Sequence, residues 1–277
     1  MPDQYAVIGH PVEHSLSPAI HAEFARVTGQ DIAYGRILAP REGFRDALLA
    51  FRAAGGKGLN VTLPFKHEAW RLAVARSGFA LVAGAVNTLT FQGEQILGYN
   101  TDGIGLVRDL TRNLRIAVRA KRVLLMGAGG AGYGVMESLL REQPETVVVA
   151  NRTLEKAIAL VAHFEKLQSF APQGISARPY EALAGARFDI LINATSAGLE
   201  GAMPPLPEGV VAPGALAYDM VYARRTRFLD FAQEQGARVS DGLGMLVEQA
   251  AESFFVWRGV YPETRSAMAI LRRQMTR

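Results

Sequence analysis

A single lysine lies in the stretch LNVTLPFKHE, residues 59–68, after an asparagine and a threonine that alternate with apolar residues. The chain contains 25 arginines and only five lysines, so a lysine is an unusual choice here. A lysine can release its proton in a suitable environment, whereas an arginine effectively cannot. Lys66 is therefore a candidate for acid–base chemistry, although a solvated lysine at the start of a surface helix is the simpler interpretation of this residue alone.

Two pairs of small polar residues accompany this candidate. Ser15 and Ser17 alternate in EHSLSPAIH, so both hydroxyls face one way if the segment is extended. Two hydroxyls at the entrance of a helix that begins near Pro18 suit a carboxylate, and N-capping by Ser17 explains them equally well. Asn60 and Thr62 also alternate, which predicts that they share one face of a strand.

The surroundings of Lys66 can be predicted from its neighbours. Pro64 ends the strand and places Lys66 in the first turn of the next helix. There the helix dipole disfavours a positive charge and promotes release of the proton. Asp102, in the motif NTDG, would oppose this effect if it lay close to Lys66.

A glycine-rich segment, GAGGAG, indicates a dinucleotide site. Gly127, Gly129 and Gly132 match the pattern G-x-G-x-x-G, directly after the strand-like RVLLM and at the start of the helical YGVMESLLRE. The first glycine permits a tight turn, the second lets a pyrophosphate approach, and the third allows close packing of helix and strand. A glycine-rich turn without a ligand is the alternative.

The residues after the next strand, TVVVA, bear on which dinucleotide is bound. An NAD enzyme has an acidic residue there, whereas this chain has Asn151, Arg152 and Thr153, with Lys156 one turn later. A cation and small hydrogen-bonding groups suit a 2′-phosphate, so the sequence predicts NADP. An ion pair of Arg152 with Glu155 is the alternative. The segment NATSAG, residues 193–198, again places small residues after a buried strand. Such residues line a ligand crevice in some α/β proteins, and an ordinary polar turn is the alternative.

Strand-like runs alternate with helical segments along the whole chain, which predicts the α/β class with parallel sheets covered by helices on both faces. In the first part these include a helix from Pro18 to about Thr28. A helix is also expected from Asp102 to about Leu114, and four buried strands follow it. The composition changes near residues 100–105. We therefore predict a first α/β domain of residues 1–101 plus 241–277 and a dinucleotide-binding domain of residues 102–240.

Composition excludes several classes of function. The chain has no cysteine, so disulfides and thiolate metal sites are absent, and its five histidines show no metal-ligand spacing. Its net charge of +4 comes from scattered arginines without a basic stripe, which argues against nucleic acid and favours small anions. The N-terminus lacks a signal-peptide pattern and no apolar run is long enough to span a membrane. We expect a cytoplasmic protein, as a monomer or a homodimer.

Taken together, these motifs resemble those of the shikimate dehydrogenase family. The matching segments occur in the family's order over nearly the whole chain: HSLSP, NVTLPFK, GAVNTL, GYNTDG, GAGGAG, NRT, NATSAG, YDMVY and DGLGMLVEQAA. The resemblance implies NADPH-dependent, reversible reduction of 3-dehydroshikimate to shikimate, with a Rossmann-type second domain and the active site in the interdomain cleft. One departure is visible: the segment RRTRFL has Arg227 where the family usually has proline.

The resemblance also assigns roles to residues. It implies that Lys66 is the general acid and that Asp102 binds the substrate and holds Lys66 in place. The implied substrate-binding residues are Ser15, Ser17, Asn60, Thr62, Asn87, Tyr222 and Gln249. The implied cofactor-binding residues are Gly127, Ala128, Gly129, Gly130, Ala131, Gly132, Asn151, Arg152, Thr153, Lys156, Thr195, Met220, Gly242 and Met245. No metal site is expected.

Two alternatives remain open at this point. One is a quinate/shikimate dehydrogenase that uses NAD or NADP, against which Ser17 and the NRT segment argue. The other is a sensor protein that keeps the fold and binds the ligand without catalysis. Such a protein would be expected to lose the Lys66–Asp102 pair, and this chain retains both residues.

Overall fold

The structure, a computed structural model, describes residues 1–167 and 174–275. The chain forms two compact units, Met1–Gly105 with Leu246–Arg277, and Leu106–Met245. The domain boundaries predicted from the sequence lie within five residues of these limits. The assignment of one unit to the substrate and the other to the cofactor stays a prediction, as does the cleft.

Strands and helices alternate along the described residues. The strands are β1 (Asp3–Gly9), β2 (Ile32–Leu38), β3 (Gly56–Val61), β4 (Ala75–Arg76), β5 (Thr88–Gln92), β6 (Gln95–Tyr99), β7 (Arg122–Met126), β8 (Thr146–Ala150), β9 (Ile175–Arg178), β10 (Phe188–Asn193), β11 (Val211–Asp219) and β12 (Arg238–Asp241). The helices are α1 (Ser17–Thr28), α2 (Phe44–Ala53), α3 (Lys66–Leu72), α4 (Gly78–Ala83), α5 (Asp102–Arg108), α6 (Gly130–Arg141), α7 (Leu154–Lys166), α8 (Arg227–Glu234), α9 (Leu243–Arg258) and α10 (Arg265–Met275). A π-helical turn, Asp109–Asn113, continues α5. The helix predicted from Asp102 to about Leu114 is therefore α-helical up to Arg108 and π-helical after it.

The sheet of the first unit is mixed, with strand order β2-β1-β3-β5-β6-β4. Its first three strands are parallel, but β5 runs antiparallel to both β3 and β6. The prediction of a parallel sheet is therefore wrong for this part. For β5 and β6 the reason is their connection, two residues including Gly93 at φ 57°, which is long enough only for a hairpin. Apolar residues such as Ile8, Leu59 and Leu89 form the core of this unit.

The sheet of the second unit is parallel throughout, with strand order β9-β8-β7-β10-β11-β12. Counted from β7, this is the order 3-2-1-4-5-6 of the Rossmann fold, so the predicted α/β class and the Rossmann-type second unit are confirmed. The four strands predicted from buried apolar runs are β7, β8, β10 and β11. Sequence reasoning missed the two edge strands because each has only four residues and no fully buried side chain.

A cluster of aromatic rings encloses His21 of α1. The imidazole is fully buried and stacks on Tyr34 with 4.2 Å between ring centroids, and the rings of Phe254 and Trp257 of α9 lie 6.1 and 5.3 Å away. Neither ring nitrogen makes a hydrogen bond of ordinary geometry with a described residue. Burial lowers the pKa of His21 to about 3, with a small opposing effect from the neighbouring amide of Asn60.

The buried imidazole makes stability depend on pH. The unfolded chain protonates His21 near pH 6.5 and the folded chain only near pH 3, so the unfolded state binds more protons between these values. Relative to a His21→Phe variant, wild type is expected to lose about 2 kcal/mol of unfolding free energy between pH 6.5 and pH 5. Urea titrations of both proteins at several pH values measure this, with His14→Gln, an exposed histidine, as control. Parallel curves for wild type and His21→Phe would contradict the expectation.

Candidate functional site

The two helices that begin at Lys66 and Asp102 bring these side chains together. Lys66 is the first residue of α3 and Asp102 the first residue of α5. The Lys66 Nζ donates to Asp102 Oδ2 at 2.6 Å, and the two side chains are 24% and 11% exposed. The pair is thus accessible at one side and held by protein at the other. A lysine ammonium that is ion-paired yet reachable can give a proton to a bound ligand and take it back.

Asn87 fixes the other oxygen of this carboxylate. Its Nδ2 donates to Asp102 Oδ1 and to Thr101 Oγ1, each at 2.9 Å, and it lies 3.4 Å from Gln249 Oε1. The Oδ1 of Asn87 accepts the backbone N–H of Thr101 at 3.0 Å, which sets the orientation of the amide. The structure therefore brings four of the predicted residues, Lys66, Asp102, Asn87 and Gln249, into one hydrogen-bonded group.

Asn60 belongs to the same network through the core of the first unit. Its Nδ2 donates to Ser253 Oγ at 3.0 Å and to Thr88 Oγ1 at 3.2 Å, and its Oδ1 accepts the hydroxyl of Tyr34 at 2.7 Å. Thr62 lies one residue beyond the end of β3, where its N–H donates to the Ile8 carbonyl. Asn60 is buried and Thr62 half-buried. Because β3 ends at Val61, the prediction that both residues lie on one face of a strand is wrong for Thr62.

The two serines meet in a turn rather than in an extended segment. Ser15 Oγ donates to Ser17 Oγ at 3.1 Å and accepts the backbone N–H of Ser17 at 3.3 Å. The condition of an extended segment is not met, because α1 already begins at Ser17. The N-cap position is Leu16, so capping by Ser17 does not occur. Both hydroxyls nevertheless lie side by side, which suits the two oxygens of a carboxylate.

Several polar residues of this network were missed by sequence reasoning: Tyr34, Arg36, Thr88, Thr101 and Ser253. Ser253 lies one helical turn after Gln249, so helical periodicity could have placed both on one face of α9. Thr88 and Thr101 stand next to predicted residues inside motifs that were identified, but their neighbours had the more distinctive chemistry. Tyr34 and Arg36 are distant in sequence from the residues they contact and give no local signal.

The glycine loop of the second unit has the geometry of a phosphate site. Gly127 adopts φ 105°, a conformation that glycine reaches without strain, and an added Cβ there would lie 3.0 Å from the Ala194 backbone. A Cβ on Gly132 would collide with the Gly127 carbonyl oxygen, which is the close packing expected of the third glycine. A Cβ on Gly129 would meet no atom within 4 Å, so the space in front of the α6 N-terminus is open to a ligand.

The segment after β8 lies against this loop. The Oδ1 of Asn151 accepts the backbone N–H of Ala128 at 3.2 Å, which ties the two segments together. Arg152, Thr153 and Lys156 are exposed. Within the described residues Arg152 makes no ion pair, so the alternative of a pair with Glu155 is not seen and the guanidinium is available to an anion.

A buried carboxylate holds two further loops of the second unit. Asp219, at the end of β11, accepts Asn193 Nδ2 at 3.1 Å and the hydroxyl of Thr226 at 2.6 Å. Burial raises the pKa of Asp219, and the hydrogen bonds oppose this. The Oδ1 of Asn193 in turn accepts the hydroxyl of Thr195 at 2.7 Å. Asp219 thereby positions the predicted cofactor residue Thr195 and the segment that carries Tyr222, whose pKa is raised by burial.

The unusual Arg227 is accommodated without loss of local structure. Thr226 caps α8, and Arg227 is the first residue of that helix, where proline is favoured because the N–H has no helical partner. An exposed arginine fits the same position. The departure therefore leaves this loop intact.

Three of the predicted cofactor residues, Met220, Gly242 and Met245, lie together. A Cβ on Gly242 would collide with the Met220 carbonyl oxygen, so only glycine fits this contact. The N–H of Met245 donates to the buried hydroxyl of Tyr218 at 3.2 Å.

Among the described residues there is no group of three or more His, Cys, Asp or Glu that could hold a metal ion. No helix in the described part is long and apolar enough to cross a membrane.

Comparison with family models gives three matches in chain order. Residues 7–89 match the model described as shikimate dehydrogenase substrate binding domain. Residues 109–200 match shikimate / quinate 5-dehydrogenase, and residues 242–272 match shikimate 5′-dehydrogenase C-terminal domain.

Individual relatives extend over nearly the full chain. A shikimate dehydrogenase (NADP(+)) from Nitrosospira multiformis is 56% identical over 275 residues, 98% of each chain. The crystal structure of an Ael1 enzyme from Pseudomonas putida has a TM-score of 0.90 and 46% identity, covering 97% of this chain and 98% of that one. The structure of shikimate 5-dehydrogenase from Thermus thermophilus in complex with NADP(H) and shikimate has a TM-score of 0.87 and 36% identity, covering 98% and 99%.

Proposed function

The chain belongs to the shikimate dehydrogenase family, and we propose that it catalyses the reversible reduction of 3-dehydroshikimate to shikimate with NADPH. The observation that carries this proposal is the Lys66–Asp102 pair, held at 2.6 Å within a chain that is 56% identical to an NADP-dependent shikimate dehydrogenase. The pair supplies the proton chemistry that reduction of a ketone requires.

Lys66 is the acid in this proposal. When bound, NADPH supplies the hydride. The Lys66 ammonium lies at the exposed side of its ion pair and donates a proton to the ketone oxygen as that oxygen gains negative charge. In the reverse direction the neutral amine accepts the proton of the hydroxyl. Asp102 keeps Nζ in place through its Oδ2, and Asn87 prevents rotation of the carboxylate through its Oδ1.

The remaining polar residues of the first unit bind the substrate. Ser15 and Ser17 present neighbouring hydroxyls to its carboxylate. The substrate's ring hydroxyls are bound by amide and hydroxyl groups of Asn60, Thr62, Asn87 and Gln249. Support for this division comes from the family model for the substrate binding domain, which matches residues 7–89. Tyr222 of the second unit is proposed to contact the carboxylate.

The second unit binds the cofactor. The open space in front of the α6 N-terminus accepts a pyrophosphate, and backbone N–H groups of residues 129–132 donate to it. Arg152 and Thr153 take the 2′-phosphate, with Asn151 and Lys156 beside them. Thr195, Met220, Gly242 and Met245 border the nicotinamide. The absence of an acidic residue directly after β8 and the lack of a described ion-pair partner for Arg152 both support NADP over NAD.

A spectrophotometric assay tests this function. Purified full-length protein with shikimate and NADP⁺ is expected to form NADPH, and replacing shikimate with quinate or NADP⁺ with NAD⁺ is expected to lower kcat/KM strongly. Equal turnover of quinate would favour the broader quinate/shikimate activity. Binding of shikimate without NADPH formation would refute the catalytic proposal and favour a sensor.

Three further expectations stay predictions: the cytoplasmic location, the monomeric or homodimeric state, and small molecules as the only partners.

A further inference from the structure

Arg36 stands beside the serine pair and has no assigned role. It lies on β2 two residues after Tyr34, so both side chains are on the same face of the strand. Its Nη2 and Nε donate to the backbone carbonyl oxygen of Ser15, at 2.7 and 3.3 Å. The guanidinium therefore holds the turn that presents Ser15 and Ser17.

The charge of Arg36 has no counter-ion among the described residues. Some other arginines of the described chain are paired with carboxylates, as Arg26 is with Glu23 and Arg258 with Asp3. Arg36 forms no such pair with a described residue, and its Nη1 has no hydrogen-bond partner there. A guanidinium fixed by a neutral carbonyl keeps its full charge for an anion that binds nearby.

The field of this charge reaches the hydroxyls around the serines. Burial raises the pKa of Tyr34 well above its ordinary value, whereas the hydroxyl of Ser17 and the positive charge of Arg36 both act to lower it. The charge of Arg36 thus acts on the Tyr34 hydroxyl, and so does the hydroxyl of Ser17. An anionic group bound by the two serines would lie in the same field.

We propose that Arg36 is a specificity-determining residue, which supplies the positive charge that selects a carboxylate at the site formed by Ser15 and Ser17. The proposal rests on the proposed function, because it assumes that the serines bind the substrate's carboxylate. The serine hydroxyls are neutral donors that can also bind an ester or an amide carbonyl, so by themselves they discriminate less against an uncharged group than a nearby positive charge does. The charge of Arg36 makes the difference.

Steady-state kinetics of an Arg36→Gln variant with shikimate and its methyl ester test this directly. The variant is expected to show a KM for shikimate that is raised about tenfold, a kcat within about twofold of wild type and an unchanged KM for NADP⁺. Its KM for the uncharged methyl ester should equal that of wild type, since the ester has no charge to lose. Arg36→Lys keeps the charge and should recover most of the affinity for shikimate.

A matched control and a second readout exclude a merely structural role. Arg52 also donates to a backbone carbonyl, that of Gly93, and is remote in sequence from the serines, so Arg52→Gln should leave both substrates unaffected. Raising KCl from about 0.02 to about 0.5 M should increase the KM for shikimate in wild type but not in Arg36→Gln. This comparison does not depend on turnover of the ester.

Two results would overturn the proposal. One is an unchanged KM for shikimate in Arg36→Gln, with the same salt dependence as wild type. The other is an equal loss for shikimate and its ester, which would mean that Arg36 only holds the Ser15 turn. Failure of the proposed function is distinguishable from both, because wild type itself would then form no NADPH from shikimate.

Discussion

Replacing Lys66 with alanine is expected to lower kcat for shikimate oxidation by a factor of about 10³, within the range that general acid–base catalysis contributes. The variant loses the ammonium group that lies 2.6 Å from Asp102, and alanine has no group that could transfer a proton in its place. Binding of shikimate should change little, because the serines and amides that we propose to bind it are untouched. Single-turnover kinetics and the Kd for shikimate, measured by titration calorimetry, separate the two effects.

A Lys66→Arg variant separates the positive charge of Lys66 from its ability to transfer a proton. An arginine keeps the positive charge and can still pair with Asp102, but it does not release a proton at accessible pH. We therefore expect kcat to fall by at least about 10²-fold in this variant as well. Lys57→Ala, on the exposed side of β3, removes a lysine from the same unit and should leave kcat unchanged. Activity near wild type in either Lys66 variant would exclude a proton-transfer role for Lys66.

Residue types alone indicated the chemistry of Lys66, whereas the contact between Lys66 and Asp102 was implied only by the family resemblance. Lys66 and Asp102 are 36 residues apart, so no spacing rule brings them together. Motif context identified each of them separately, and only the pairing of β3 with β5 and of β5 with β6 places the start of α3 beside the start of α5. Lys66 could be named in advance from its own chemistry at a helix start, whereas the role of Asp102 came from the resemblance.

The fold followed from the sequence where apolar runs were long. The four central strands of the second unit are largely buried and read as continuous apolar segments, so they were predicted, whereas β9 and β12 at the edges were not. In the first unit the short connection at Gly93 explains why β5 and β6 pair antiparallel. Arg36 had no local signal at all, because its partner Ser15 lies on another segment 21 residues away.

Arg152 is expected to decide whether the protein uses NADP or NAD. After the Lys66 substitutions, its replacement should have the largest effect on the kinetics. It is exposed and has no carboxylate partner among the described residues, and it lies where an acidic residue would bind the ribose hydroxyls of NAD. Arg152→Glu should lower kcat/KM for NADP⁺ by about 10²-fold or more, since a charge-assisted contact with the 2′-phosphate is replaced by repulsion. For NAD⁺, which lacks this phosphate, kcat/KM should change by less than about threefold.

The comparison of the two cofactors is what makes this prediction specific. A general loss of stability or of loop structure would lower kcat/KM for NADP⁺ and NAD⁺ together, whereas loss of phosphate recognition lowers only the first. Arg119→Glu reverses the same charge at another exposed position of the second unit and should change neither value. Equal losses with both cofactors in Arg152→Glu would show that Arg152 supports the loop and does not bind the phosphate. The contact would then have to come from Thr153 and Lys156, and the same assay on their alanine variants would identify it.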